Sequence, residues 1–135
     1  MTRTRAPFIP SSYRAAARLP TSTVDLVTVA RVLISEPHPD CRTLIELVVR
    51  RAGHEPLGPG ELAEGDEPGA LILEPASADG LAIAHRLRNR LEQLPLICTS
   101  VRPAGPAMES LRPAAYLVKP FRIAELESAL RSVLS

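Results

Sequence analysis

The chain has 135 residues, a net charge of +1, 45% hydrophobic residues and 23% charged residues, a size and composition typical of one globular domain. A charge this close to zero gives no general attraction to nucleic acid or to a membrane surface, and an aromatic content of 3% excludes stacking platforms for single-stranded nucleic acid. No apolar run is long enough to cross a bilayer, and no signal peptide is visible.

Residues 1–23 differ in composition from the rest of the chain, with four arginines, three prolines and no acid before Asp25. We predict a disordered basic tail over residues 1–23 and one domain over residues 24–135. Two alternatives for the tail stay open. It has the composition of an organellar transit peptide, and it also has that of a basic arm that binds phosphate backbones or anionic lipid.

The first strand region extends over residues 24–35, where Val32-Leu33-Ile34 is the continuous apolar run expected of a strand buried on both faces. An acidic turn follows at residues 36–40, and Pro39-Asp40 begins a helix. Gly53 ends this helix. The predicted apolar stripe of the helix consists of Leu44, Leu47, Val48 and Arg51.

The middle of the chain predicts two strands, a long loop and a helix. Residues 54–57 form a short strand, which Pro56 confines to a sheet edge, and residues 58–69 are mainly loop because they are rich in Gly, Pro and acids. Residues 70–73 form the third strand, with Glu74 as its last residue. The helix over residues 80–94 has an inward face made of Ala84, Leu87, Leu91 and Leu94.

The last third of the chain predicts two more strands, each followed by a helix. Residues 96–99 form a strand that ends at Ser100, and residues 107–111 form a short helix. Residues 116–118 form a fifth, buried strand that ends at Lys119, because Pro120 has no N–H to continue a ladder. The last helix spans residues 123–134, and its predicted inward face consists of Ile123, Leu126, Leu130, Val133 and Leu134.

Strands that alternate with helices predict a parallel sheet with helices on both faces. Right-handed crossovers favour a flavodoxin-like, doubly wound α/β sheet of five strands in the order 2-1-3-4-5. In this arrangement the carboxyl ends of strands one, three, four and five meet at one edge of the sheet. The polar residues at those ends are Ser35 and Glu36, Glu74, Ser100 and Lys119.

The cysteines and histidines predict no metal site. Cys41 and Cys98 form no CxxC pair, and the three histidines are scattered. We expect both thiols to be reduced and to behave as small apolar side chains in a cytoplasmic protein.

The polar residues at the strand ends, with the motifs around them, resemble the receiver domains of two-component response regulators, which have the CheY-like fold. The resemblance covers residues 30–135. Its most specific motifs are Leu117-Val118-Lys119-Pro120-Phe121, Pro95-Leu96-Ile97 leading to Ser100, Arg31-Val32-Leu33-Ile34 before the acidic turn, and Asp79-Gly80-Leu81.

The resemblance implies a role for each residue of the site. In that family an aspartate after the third strand accepts a phosphoryl group from a kinase histidine, and two acids after the first strand help it to hold Mg²⁺. A lysine and a hydroxyl bind the phosphoryl oxygens. Transferred to this chain, the acceptor position is Glu74, the acidic pair is Glu36 and Pro37, the lysine is Lys119, the hydroxyl is Ser100 and the switch aromatic is Tyr116.

Two of these positions depart from the family pattern. Pro37 has no side-chain oxygen, so we expect Mg²⁺ binding to be weak or lost and no cofactor to be bound. The Glu74 side chain is one methylene longer than aspartate, so its carboxylate is expected where the phosphoryl group or the metal belongs, paired with Lys119. The loop after Glu74 is shorter than usual, and the second helix is shortened or missing. We therefore predict a pseudo-receiver in which Glu74 mimics the charged acceptor.

Simpler explanations of three residues stay open. The pairing of Lys119 with Glu74 is also consistent with a purely structural ion pair. The Ser100 hydroxyl suits the capping of a backbone group at a strand end. Tyr116 suits a half-buried aromatic on an edge strand.

The leading functional hypothesis is a stand-alone, non-enzymatic signalling protein of the cytoplasm that contacts a sensor kinase or a downstream regulator. The family usually makes such contacts through its fourth helix, fifth strand and fifth helix, a face that also suits a homodimer. Here that face would include residues 107–111, Tyr116, Arg122, Glu125 and Arg131.

Two other hypotheses remain. The first is a phosphorylation-competent regulator with a displaced acceptor, for which Asp79 and Asp40 are the candidates. The second is an accessory nucleic-acid-binding protein that uses the basic tail between Arg3 and Arg18, although the near-zero net charge makes nucleic acid an unfavoured partner. No membrane partner is expected.

Overall fold

The computed structural model describes residues 29–134, which form one five-stranded sheet with helices on both faces. All four strand pairings are parallel, and the strand order is β2-β1-β3-β4-β5. The flavodoxin-like fold and its strand order, predicted from the sequence, are confirmed. The predicted tail at residues 1–23, the start of the predicted domain at residues 24–28 and its last residue lie outside the described residues.

The elements follow one another in a regular alternation of strand and helix. The strands are β1 (Arg31–Ser35), β2 (Glu55–Leu57), β3 (Ala70–Leu73), β4 (Leu96–Ser100) and β5 (Ala115–Val118). The helices are α1 (Pro39–Arg51), α2 (Ala78–Arg90), α3 (Pro106–Glu109) and α4 (Ile123–Leu134), and a single 3₁₀ turn at Pro59–Glu61 stands between β2 and β3. Within residues 29–134, no helix is long and apolar enough to cross a membrane.

The core has two layers because successive residues of each buried strand point to opposite faces of the sheet. On β1, Val32 and Ile34 pack against α1 and α4, whereas Leu33 packs on the opposite face with α2 and α3. The same alternation continues in β3 and in the first three residues of β4. Continuous apolar runs in the sequence therefore identify strands that are covered on both faces.

Two of the predicted helix faces are partly wrong. In α1 the buried residues are Ile45, Val48 and Val49, whereas Leu47 is 49% exposed. In α4, Leu126 and Leu130 are buried as predicted, but Ile123 is an exposed apolar residue. Both helices have more apolar positions than one inward stripe can hold, so the sequence pattern alone does not fix which of them face the core.

The fifth strand is not the buried strand that the sequence predicts. Tyr116 and Leu117 are half-buried, and Val118 is 51% exposed. The physical reason is that β5 forms one edge of the sheet and is paired only with β4. The short α3 and the single helix α4 leave the end of this edge uncovered.

Helix α2 begins two residues earlier and ends four residues earlier than the prediction of residues 80–94. It begins at Ala78 because the Ser77 hydroxyl caps it, accepting a hydrogen bond from the Gly80 N–H at 3.4 Å. Its end is fixed by the Arg88 guanidinium, which donates to three backbone carbonyls at 2.6–2.9 Å. These carbonyls belong to Glu92, Leu94 and Leu111, so Arg88 ties the end of α2 to the segments that precede β4 and β5.

Gly80 allows α2 to lie directly on the end of β3. A Cβ atom added at this residue would stand 2.8 Å from the carbonyl oxygen of Glu74, closer than packed atoms tolerate. The absence of a side chain at Gly80 therefore fixes the approach of α2 to the residue that follows β3.

We expect Gly80→Ala to destabilise the fold by about 1–3 kcal/mol, because the new methyl group displaces the Glu74 carbonyl or the start of α2. Helix propensity alone predicts the opposite sign, a gain of about 0.5–1 kcal/mol. Urea unfolding monitored by circular dichroism measures the difference. Gly60→Ala is the matched control, because a Cβ at Gly60 meets no atom within 4 Å. Equal stability of the two variants would contradict the close contact at Gly80.

Candidate functional site

Three charged side chains meet at the carboxyl edge of the sheet. The Lys119 Nζ donates to Glu36 Oε1 at 2.8 Å and to Glu74 Oε1 at 2.9 Å. We call these residues the charged triad. The Glu36 side chain is 1% exposed, and those of Glu74 and Lys119 are also largely buried. The sequence places all three residues at this edge, but it does not predict that Lys119 bridges both carboxylates.

Regular strand pairing positions two members of the triad. The Glu74 N–H donates to the Ser35 carbonyl at 3.0 Å and the Lys119 N–H donates to the Ser100 carbonyl at 2.7 Å, so each residue extends a parallel ladder just past its strand. Glu36 follows β1 directly. Because neighbouring parallel strands end at similar heights, all three side chains rise from the same edge of the sheet.

The second oxygen of each carboxylate is also occupied. Glu36 Oε2 accepts from the His38 N–H at 3.0 Å, and Glu74 Oε2 accepts from the Ala76 N–H at 2.9 Å. In both cases the donor is the backbone two residues further along the chain. Each carboxylate therefore joins Lys119 to the loop that follows its own strand, which is how a buried charge is kept solvated by the protein.

Two further side chains lie at the triad, although nothing in the sequence pattern assigns them to the site. The Thr99 hydroxyl, which is fully buried, donates to Glu36 Oε1 at 3.4 Å. Cys41 lies close enough to Lys119 for its thiol to interact with the ammonium group, and burial raises the pKa of that thiol above 9.0. Two features of the sequence could have pointed to them. Thr99 is a polar residue inside an otherwise apolar strand, and Cys41 lies in the first turn of the helix that follows Glu36.

The remaining predicted residues lie around the triad. Ser100 is buried, and its hydroxyl accepts from the Arg102 N–H at 3.3 Å. Tyr116 packs against the α2 side of the core, and its hydroxyl donates to the Arg102 carbonyl at 2.9 Å. Both contacts hold the loop after β4. These contacts agree with a capping role for the Ser100 hydroxyl and with a half-buried edge-strand aromatic at Tyr116. The signalling roles of both residues stay predictions.

The two candidate displaced acceptors lie on the rim of the site. Asp40 is exposed in the first turn of α1, and Asp79 is exposed in the first turn of α2. Both ion pairs of Lys119 are made with the triad carboxylates instead. Pro37 is exposed between Glu36 and α1 and presents no side-chain oxygen to the site.

The triad shifts the pKa values of two of its members. Burial opposes the charge on Glu74, but hydrogen bonds from Lys119, the Ala76 N–H and the Ser100 hydroxyl hold the pKa of this carboxyl below its ordinary 4.5. Burial likewise opposes the charge on Lys119, but the bonds to Glu36 and Glu74 raise its pKa above 10.5. The site is therefore a charged cluster at neutral pH, with one ammonium between two carboxylates.

Comparison with known proteins identifies the fold. The sequence matches no protein-family model and no curated protein. The structure is similar to CheY4, a chemotaxis response regulator of Vibrio cholerae, with a TM-score of 0.69 and 19% identity over 79% of this chain and 100% of that one. It is also similar to the receiver domain of the sensor histidine kinase PA1611 of Pseudomonas aeruginosa PAO1, with a TM-score of 0.65 and 21% identity over 79% of this chain and 98% of that one.

A third similar structure is HP1043, an orphan response regulator of H. pylori. Its TM-score is 0.62, with 17% identity over 78% of this chain and 97% of that one. Because these identities are low, the likeness establishes the fold, which is that of receiver domains. The fold expected from the sequence resemblance is thus confirmed.

We expect Lys119→Met to destabilise the fold by about 3–5 kcal/mol, because it leaves two buried carboxylates facing each other without a cation. Chemical unfolding at neutral pH measures the loss. Adding Glu36→Gln and Glu74→Gln to the same variant removes both unpaired charges and should restore most of the stability. A loss that persists unchanged in the triple variant would show that packing of the lysine side chain, and not charge, is responsible.

Stability should fall on acidification below pH 4.5, because the Glu74 pKa is lower in the folded state than in the unfolded state. The unfolded chain then takes up a proton first, so the free energy of unfolding rises with pH in this window and decreases as pH falls through the folded pKa. Urea titrations from about pH 3 to about pH 7 measure the slope. Glu74→Gln should flatten it, whereas an unchanged slope would assign the acid sensitivity to other carboxyls.

Proposed function

We propose that this chain is a receiver-type domain of two-component signalling that works by protein contact and without aspartyl phosphorylation. The observation that carries the proposal is the bonding of Lys119 to two carboxylates at the edge where receiver domains bind their phosphoryl group. The lysine has its anionic partners permanently, as part of the protein itself. The domain is then a signalling module of the cytoplasm and not an enzyme.

The bonding of Glu74 supports the loss of phosphoryl transfer. One carboxylate oxygen accepts from Lys119 and the other from the Ala76 N–H. Each oxygen keeps a second lone pair, so these bonds lower the nucleophilicity of the carboxylate without removing it, and its largely buried position limits access to it. Glu74 is therefore assigned the role of a fixed anion that substitutes for the modified aspartate.

The composition of the acidic side of the site supports weak or absent Mg²⁺ binding. Mg²⁺ requires near-octahedral oxygen coordination, usually with one or two carboxylates. Here Pro37 supplies no oxygen, and the carboxylates of Glu36 and Glu74 already bind the Lys119 ammonium. The PA1611 receiver domain, in contrast, is described with a magnesium ion in its active-site cleft. We propose that Mg²⁺ binding to this chain is weak or lost and that no other cofactor takes its place.

The surface around the end of β5 supports output by a protein contact. Three large apolar side chains are exposed there: Val101 after β4, Val118 at the end of β5 and Ile123 at the start of α4. Arg122 is exposed next to Ile123, and Arg131 is exposed further along α4. This combination of apolar and charged groups suits a sensor kinase, a downstream regulator or a second copy of this chain. Met108 and Leu111, which the family resemblance places on this face, are buried and therefore contribute packing.

Beryllofluoride with Mg²⁺ tests the proposal, because it mimics an aspartyl phosphate only where both an acceptor and a metal site exist. We expect the wild-type chain to show no saturable amide shift at Ser100 or Lys119, and no added mass after incubation with acetyl phosphate. The variant that combines Pro37→Asp with Glu74→Asp is the matched control, because it returns the acidic pair and an acceptor of ordinary length. Saturable shifts or a phosphoryl adduct in the wild-type chain would instead favour a displaced acceptor, such as Asp79.

A further inference from the structure

A groove lies beside the charged triad, on the α2 side of β1. Its volume is about 380 Å³, which is in the range of small-molecule sites. Apolar groups form much of its lining: Pro37 from the β1–α1 loop, Pro59 from the 3₁₀ turn, and Ala82 and Ile83 from α2. The groove exists because a single 3₁₀ turn, and not a helix, stands between β2 and β3 beside α2.

A buried hydroxyl faces this groove without a partner. Ser35 is 6% exposed, and by strand alternation its side chain lies on the same face as Leu33, toward α2. The hydroxyl makes no hydrogen bond to any of residues 29–134. Gly80 stands next to it, since a Cβ there would be 3.5 Å from Ser35 Oγ, and the missing side chain leaves the hydroxyl open to the groove. The Ser35 hydroxyl is not fully enclosed, so from the groove it can bond to water or to a ligand.

Two guanidinium groups line the same groove. Arg42 uses one nitrogen to donate to the Glu36 carbonyl at 3.0 Å. Arg86 is exposed on α2 and forms no ion pair within the described part of the chain. Two carboxylates oppose them, but that of Glu36 is paired with Lys119, and that of Asp79 stands exposed at the rim. Lys119 also pairs with Glu74, so it offsets only part of the Glu36 charge, and the lining has no net positive charge. Its two guanidinium groups are the local positions that an anion can contact.

We propose that this groove binds a small organic anion, with an apolar body against Pro59 and Ile83 and a carboxylate or phosphate group held by Arg86, Arg42 and the Ser35 hydroxyl. Guanidinium groups bind both kinds of anion in a bidentate manner, which fixes the orientation of the ligand. The groove shares Glu36 and Pro37 with the candidate site, but Glu74 and Lys119 are not part of its lining. The proposal does not depend on the proposed signalling function. The ligand bridges α2 and the loop that carries Glu36.

Titration of the whole chain with phenyl phosphate and with benzoate, followed by amide chemical shifts, tests the site and distinguishes the two anionic groups. We expect saturable shifts at Ser35, Ser77 and Gly80 with at least one probe. Arg86→Gln should weaken the binding at least about tenfold, the effect of losing a charge-assisted hydrogen bond. Arg131→Gln is the control of equal charge change, because Arg131 is exposed on α4 at the opposite face, and it should leave the affinity unchanged.

Two further variants separate a built site from general attraction. Ser35→Ala should weaken the binding severalfold, and Asp79→Asn should strengthen it by removing the opposing charge. Inorganic phosphate should bind more weakly than phenyl phosphate, because it cannot use the apolar lining. The proposal is overturned by the absence of saturable shifts with both probes, by equal effects of the two arginine variants, or by equal binding of inorganic and phenyl phosphate.

Discussion

The ammonium group of Lys119, held between two buried carboxylates, is the constraint on which the carboxyl edge of this sheet depends. Glu36 follows β1 and Glu74 follows β3 in the middle of the sheet, whereas Lys119 follows β5 at its edge. The lysine therefore reaches across the end of β4 to join strands that are not neighbours. Without such a link, the edge strand β5 would be held at this end by its pairing with β4, by α4 and by the bond from the Tyr116 hydroxyl to the Arg102 carbonyl. The charge pairing thus completes the fold as well as the site.

The loops that follow β1 and β3 offset part of the free-energy cost of burying these charges. Each carboxylate accepts a backbone N–H from two residues further on, so the tight turns at Glu36–His38 and Glu74–Ala76 are part of the solvation of the triad. The short loop after Glu74 then leads at once to the Ser77 cap and to the close contact of Gly80. The short loop and the long Glu74 side chain are thus joined, because the loop supplies the Ala76 N–H that binds the Glu74 carboxylate.

The sequence predicts the sheet and the meeting of the triad residues well, because parallel strands put their carboxyl ends at one edge whatever the side-chain details. It fails where the choice depends on tertiary packing. Leu47 and Ile45 are equally apolar, and only the position of α1 on the sheet decides that Ile45 is buried. The predicted strand order already places β5 at an edge, but the apolar composition of Leu117 and Val118 does not show that Val118 is exposed there. The bonds from Thr99 and Lys119 to Glu36 depend on side-chain reach across strands, which spacing in the sequence does not encode.

A carboxylate that belongs to a side chain differs from a phosphoryl group in one physical respect, which is that it cannot be hydrolysed. An acyl phosphate decays, so the state that it supports has a lifetime. The contacts of Glu74 with Lys119 and the Ala76 N–H belong to the folded chain itself, so their lifetime is not limited by hydrolysis. Under the proposed function, the strength of a signal from this domain follows the amount of protein present, set by its synthesis and degradation, and no phosphatase switches it off.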